Sequence, residues 1–147
     1  MNCMSDKCFV DTNILVYAHD RSTGIKHERA RILIETLWNS GKGVLSTQVL
    51  QELCINLRRK AANPLPVEEV RRLIREYSTW EVVTNTPGSV LGALEIETRY
   101  KTSFLDALIL QAAEEAGASI LYSEDLASGQ HYGAVAVVNP LSNSEIA

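Results

Sequence analysis

Most signatures of an ordinary cofactor or nucleophile site are missing from this chain. Its three cysteines, Cys3, Cys8 and Cys54, are odd in number and form no C-x-x-C pair. Neither a disulfide framework nor a zinc site is indicated, and all three read as structural or incidental. His19, His27 and His131 are scattered, without an H-x-x-x-H or similar spacing, which argues against zinc a second time. No G-x-G-x-x-G or G-x-x-x-x-G-K-[ST] loop is present to cradle a nucleotide. No G-x-S-x-G elbow presents a serine nucleophile. No apolar stretch approaches the roughly 20 residues that span a bilayer. The first seven residues lack the apolar core of a signal peptide. The expectation is a soluble, cytoplasmic protein of a reducing compartment with no membrane partner.

The 147 residues are 46% apolar and 22% charged, ordinary for one globular domain, taken here as 1–147. A formal charge of −4 argues against a wholly electrostatic nucleic-acid binder. It leaves room for a local basic patch, because net charge averages over faces.

Strand-like runs fall at residues 8–10, 44–45, 80–83, 120–122 and 135–138. Between them lie helical stripes. Asp11-Thr12-Asn13 suits a helix start, with 14–18 as its first turns. Ala30, Leu33, Ile34, Leu37 and Trp38 predict a helix over 27–39, stopped by Ser40-Gly41-Lys42-Gly43. Ser46 or Thr47 caps the next, with Val49, Leu50, Leu53, Cys54 and Leu57 on one side. Asn63-Pro64-Leu65-Pro66 breaks it from a helix over 67–78 carrying Val70, Leu73, Ile74 and Tyr77. Pro87 fits the first turn of a helix reaching about Tyr100. Ser103 opens the last, with Leu105, Leu108, Ile109 and Ala112 at helical spacing and Gly117 just past its end. Strands alternating with such helices predict a three-layer α/β/α sandwich around a mostly parallel sheet, with an αα hairpin over about 47–78.

Four carboxylates are left to carry chemistry: Asp11, Glu52, Asp106 and Asp125. Asp11 follows the first strand directly, and the carboxyl ends of parallel strands converge on the edge where ligands bind. It also stands among three residues that could cap the helix, of which one suffices; its strand-end position favours function. Asp125 follows another strand through Ser123 and Glu124, residues that equally suit a plain turn. Glu124 competes for its role, and Ser123 offers a hydroxyl to a bound water or a phosphate oxygen. Asp106 is evenly balanced, since S-F-L-D has the spacing of a capping box. Glu52 is the weakest: at 100° per residue it lies roughly 130° from the centre of its helix's apolar stripe. On that flank most glutamates are merely solvated. Carboxylates gathered at one edge repel one another unless protonated or bridged by a cation. The pattern therefore asks for a hard divalent metal, and metal held by carboxylates beside water points to phosphoester chemistry.

Arg58, Arg59, Lys60, Arg71, Arg72 and Arg75, set against Glu68 and Glu69, give residues 58–75 a local balance of +4. On an αα hairpin they could line one rim of an acidic cleft and hold a phosphate backbone. A solvated face with Arg58 to Lys60 complementing a helix C-terminus is the equal alternative.

In order along the chain, F-V-D-T-N-I-L-V-Y-A (9–18), S-T-Q-V-L-Q-E-L (46–53), S-F-L-D-A-L-I-L-Q-A-A (103–113) and L-Y-S-E-D-L (121–126) resemble one known set of motifs. It is that of the PIN-domain ribonucleases, in particular the VapC-type toxins of bacterial and archaeal toxin–antitoxin pairs. The resemblance runs from about residue 7 to 140. It implies that Asp11, Glu52, Asp106 and Asp125 form an acidic quartet holding Mg²⁺ or Mn²⁺, with Thr12, Asn13 and Ser123 in support, and so reverses the bland reading of Glu52. Ser123 stands where threonine is more usual, and Glu124 leaves open which oxygen meets the metal there. The resemblance also implies RNA cleavage leaving a 5′-phosphate and a 3′-hydroxyl, a homodimer, and an antitoxin protein that blocks the cleft.

Two other readings fit the sequence less well. A haloacid-dehalogenase-like phosphatase needs a second Asp where this chain has Asn13. A PIN module that only binds RNA or protein would be expected to have lost some of its acidic positions, and all four are filled here.

Overall fold

The computed structural model describes residues 6–142, and Cys3 lies outside them. In chain order the elements are β1 Lys7–Val10, α1 Thr12–Ala18, a 3-10 turn Arg21–Thr23 and α2 Ile25–Ser40. Then come β2 Gly43–Ser46, α3 Thr47–Ile55, a π-helical turn Asn56–Lys60, α4 Val67–Tyr77 and β3 Glu81–Val83. The chain ends with α5 Pro87–Tyr100, α6 Phe104–Glu115, β4 Ala118–Tyr122, β5 His131–Tyr132 and β6 Val135–Val138.

The strands form one six-stranded sheet in the order β3-β2-β1-β4-β6-β5. All neighbours are parallel except β5, which runs antiparallel to β6. Short unbroken apolar runs such as Phe9-Val10 and Val44-Leu45 are buried, as expected for strands covered on both faces. From β1 the chain steps to β2 and β3 on one side, then crosses over to β4 and β6 on the other. Right-handed crossovers place the helices of these two excursions on opposite faces. The packing agrees: α1 lies against α2 and α3, and α5 lies against α6. The three-layer α/β/α sandwich expected from the alternation is the fold observed.

The reversal between β1 and β4 is a topological switch point, where the loops leaving two adjacent strands diverge and open a crevice. Helix starts are fixed by short polar side chains. Ser46 Oγ accepts from the Val49 N–H at 3.3 Å, and Ser103 Oγ accepts from the Asp106 N–H at 3.1 Å. Thr86 and Ser89 form a reciprocal capping box on either side of Pro87. Gly117 follows α6 with φ 73°, a left-handed conformation that costs glycine little.

Several expectations need correction. α2 begins at Ile25, two residues earlier than the stripe predicts. Trp80 is not in the strand: β3 starts at Glu81. β5 is too short to leave a pattern in the sequence. Leu57 is fully buried as expected, but it sits in the π turn, where one extra residue per turn rotates the helix before the proline break. Leu105 is 56% exposed and Trp38 39% exposed, although both keep the helical spacing of their buried neighbours. The stripe is right in period: Trp38 sits on its edge, whereas Leu105 is central to it but lies in the first turn of α6, beyond the packed part of the helix.

An aromatic group closes the far end of the sheet. Trp80 packs edge-to-face on Trp38 at 5.2 Å and on Tyr77 at 5.3 Å. Its ring also covers Gly43, where an added Cβ would stand 2.3 Å from the nearest ring carbon. Because its neighbours confine the ring, Gly43→Ala is expected to lower stability by about 1–3 kcal/mol. Urea denaturation checks this, and an unchanged midpoint would mean that Trp80 moves freely.

Candidate active site

Asp11 is the residue at which β1 stops. Its N–H still donates to the Tyr122 carbonyl of β4 at 2.9 Å, so the sheet positions the backbone directly. The side chain is 5% exposed. Oδ1 accepts from the Thr12 N–H at 2.7 Å, and Oδ2 accepts from Ser123 Oγ at 2.8 Å. Burial pushes this carboxyl up to about 7; the bonds from Ser123 and Thr12 pull the other way, while Asp125 and Asp106 add to the rise. Asp11 is thus the N-cap of α1. That does not exhaust it, because the same carboxylate spans β1 and β4.

Glu52 is tied to the same place. Thr12 Oγ1 donates to its Oε1 at 2.7 Å, and Gln48 Nε2 donates to its Oε2 at 3.2 Å. Gln48 also reaches the Leu105 carbonyl at 3.2 Å, so α3 is fastened to the start of α6. Asp106 stands in the first turn of α6 and is half-buried. Burial raises its pKa, the Ser103 hydroxyl lowers it, and Asp125 and Glu52 raise it again. Its N–H uses Ser103 as a cap, while its carboxylate faces the cleft. Asp125 is exposed, and its N–H donates to Ser123 Oγ at 3.2 Å.

An open cavity of about 470 Å³ is lined by all four carboxylates, together with Thr12, Asn13, Tyr17, Gln48 and Asn56. Ser123 lies beneath it, fully buried. Among the described residues no three His, Cys, Asp or Glu side chains stand close enough to enclose a metal ion. The carboxylates ring the cavity without converging. The donor set nevertheless fits a hard cation, being all oxygen and mutually repulsive. Buried polar atoms without a partner point the same way: both amide atoms of Asn13, and Oε1 of Gln48, on the cavity wall.

Glu124, the rival of Asp125, is engaged elsewhere. It accepts from Tyr17 OH and from Lys26 Nζ, each at 2.6 Å. Burial alone would raise its pKa, but the bonds from Lys26 and Tyr17 outweigh that and lower it.

None of the described basic side chains of the hairpin lines the acidic cavity. Arg58, Arg71 and Arg75 border a separate groove of about 430 Å³ floored by Cys54, Val67, Val70 and Ile74. Arg72 is held by Glu69 and Glu76, and Arg71 lies 3.5 Å from Glu68. Arg59 is exposed, and the side chain of Lys60 lies outside the described part of the structure.

Tyr17, Gln48, Asn56 and Lys26 belong to the site or its edge and were not singled out from the sequence. For two of them a signal existed. Gln48, Glu52 and Asn56 recur every four residues and so share one helix face. A polar line beside an apolar stripe marks a second buried direction.

A mostly parallel sheet with a cavity lined by four carboxylates at its switch point defines an α/β protein with an acidic cleft. The sequence profile of the PIN domain matches residues 8–128, and the chain belongs to the PIN-domain family. Among solved structures it resembles VapC20 of Mycobacterium tuberculosis, described as a sarcin–ricin loop cleaving toxin. The TM-score is 0.64 at 23% identity, covering 81% of this chain and 90% of that one. At that identity the likeness speaks for the fold. No curated protein sequence matches the chain.

The folded-state pKa of Asp11, about 7, lies above its ordinary value of 3.8. The folded metal-free protein therefore holds this proton more tightly than the unfolded chain. The resulting stabilisation is complete below the ordinary value and is lost as pH rises through 7. The loss amounts to a few kcal/mol in order of magnitude. Asp11→Asn in EDTA should flatten this decline, giving a melting temperature at pH 8 at or above that of the parent. Parallel pH profiles for the two proteins would contradict it.

Proposed function

We propose that this chain, as a single domain over 1–147, is a Mg²⁺- or Mn²⁺-dependent endoribonuclease. Its biological role would be the toxin of a type II toxin–antitoxin pair, acting in the cytoplasm on RNA and held in check by a cognate antitoxin protein. The observation that carries the reading is the cavity at the β1/β4 switch point, lined by Asp11, Glu52, Asp106 and Asp125. PIN-family membership supports it, and the likeness to a protein described as an RNA-loop-cleaving toxin supports the toxin role. Among the described residues no helix is long and apolar enough to cross a membrane. Val90, Leu91 and Leu94 are exposed on α5 and offer the expected homodimer an apolar surface.

Each residue has a part in this reading. A divalent ion, when bound, supplies a water acidified towards neutral pH and positive charge beside the phosphate. Asp11 and Asp106 would hold it, with Glu52 and Asp125 completing the set directly or through water. Ser123 and Thr12 keep the Asp11 carboxylate in one orientation through their two hydrogen bonds. The Thr12 hydroxyl and the Gln48 amide do the same for Glu52. Asn13 brings an unpartnered amide to the wall, able to donate to a phosphate oxygen and accept from water. Burial around Asp11 excludes bulk water and strengthens its interaction with any cation or developing charge.

The test is incubation of the purified protein with total RNA in Mg²⁺, in Mn²⁺ and in EDTA, with mapping of the cut ends. Cleavage is expected only with metal, leaving 5′-phosphate ends. Asp106→Asn should reduce it by roughly 100-fold or more. Equal cleavage in EDTA, or an Asp106→Asn protein as active as the parent, would overturn the assignment. RNA held alike with and without metal and never cut would return the chain to a binding module.

A further inference from the structure

Beside the acidic cavity lies a polar cluster that the nuclease reading leaves without a role. Glu124 sits between Ser123 and Asp125, yet its side chain turns away from both. Its Oε1 accepts from Tyr17 OH at 2.6 Å, on α1. Its Oε2 meets Lys26 Nζ at 2.6 Å, in the first turn of α2. Lys26 Nζ also stands 5.0 Å from the centroid of the Tyr17 ring and 3.5 Å from its hydroxyl, closing the group into a triangle. Two elements on one face of the sheet thus grip the loop that leaves β4.

That loop needs a grip. After Ser123, whose N–H bonds the Val138 carbonyl at 3.1 Å, the chain leaves the sheet in a bend. Asp125 is exposed, and its N–H is anchored to the Ser123 hydroxyl at 3.2 Å. The inner side of the turn is therefore fastened through Ser123 to Asp11, and the outer side through Glu124 to Tyr17 and Lys26. Consecutive Cα atoms are about 3.8 Å apart, so fixing Glu124 confines Asp125 to a short arc that its own N–H bond to Ser123 narrows further. The Lys26 ammonium has a second effect. It cancels a negative charge that would otherwise stand beside a cavity already lined by four carboxyl groups.

The geometry points to Glu124 as a positioning residue: clamped between Tyr17 and Lys26, it holds the 123–125 turn so that Asp125 faces the cavity, and it is not itself a metal ligand. Groups that orient a ligand without touching the ion are typically worth about 10–100-fold in metal affinity. This inference rests on the proposed metal site. It is read by metal binding alone, so it stands or falls separately from RNA cleavage.

The experiment is a Mn²⁺ titration of the full chain by calorimetry in the absence of RNA. Parent, Lys26→Met, Tyr17→Phe, Glu124→Ala, Asp125→Asn and the exchange Lys26→Glu with Glu124→Lys are compared, with circular dichroism to establish that each is folded. Lys26→Met and Glu124→Ala should weaken binding by roughly tenfold, with Tyr17→Phe changing in the same direction. The exchanged pair should recover most of the parent affinity, which a carboxylate ligand at 124 would not permit. Unchanged affinity in Glu124→Ala and Tyr17→Phe would overturn the proposal. So would an exchanged pair as weak as Glu124→Ala. Should the charge variants fail to fold, Tyr17→Phe, which removes one oxygen, decides alone. Parent protein that binds Mn²⁺ with these dependences and cuts no RNA would refute the nuclease reading and leave the clamp standing.

Discussion

Asp11 is taken out of water at the point where the sheet changes direction, and its carboxylate is held by Ser123 Oγ and the Thr12 N–H. Two hydrogen bonds do not replace the hydration of a carboxylate, so its pKa rises to about 7 and its charged form calls for a cation. Around that one unsolvated group the other parts are arranged. Ser123 is fully buried because it must stand beneath Asp11. Thr12 bridges to Glu52 and thereby brings α3 into the site. Gln48 carries the connection on to the start of α6, where Asp106 stands.

The same constraint keeps the polar chemistry apart from the apolar core. Phe9, Val10, Leu45 and Leu121 are fully buried in the strands below it, while the carboxylates occupy the ends where the strands give out. Burial of the apolar runs positions the backbone, and loops and helix starts, whose N–H groups need acceptors anyway, present the acids. Asp11 and Ser103 each serve a helix start beside the cavity. Capping and function were competing readings of Asp11 and Asp106 in the sequence. In the structure they are compatible, because a cap uses one oxygen or an N–H and leaves the rest of the residue turned to the cleft.

How much of this was legible in the sequence depended on range. Strand ends and helix starts are local: Cys8-Phe9-Val10 before Asp11, Ser46 before α3 and Ser103 before α6 identify themselves by residue type. Glu52 did not, since periodicity gives a direction around one helix and says nothing about what lies there. Its proximity to Asp11 is set by Thr12, forty residues away in the chain. Glu124 stayed ambiguous for the same reason, because Tyr17 and Lys26 are supplied by α1 and α2. The arginines of 58–75 looked like one cluster by spacing. Folding divides them between a separate groove and the glutamates of their own helix. β5, with two residues, is below the length at which alternation carries information.

The role proposed for this carboxylate ring, with Asp11 half-protonated near neutrality, is to receive a divalent cation. Its most direct test is the number of protons released when Mn²⁺ binds, obtained by calorimetry in buffers of different ionisation enthalpy. A carboxyl with a pKa of about 7 should release close to one proton per site at pH 6 and roughly none at pH 8, and Asp11→Asn should remove the difference. Binding with no proton release at pH 6, or no saturable binding at all, would mean that Asp11 does not receive the cation.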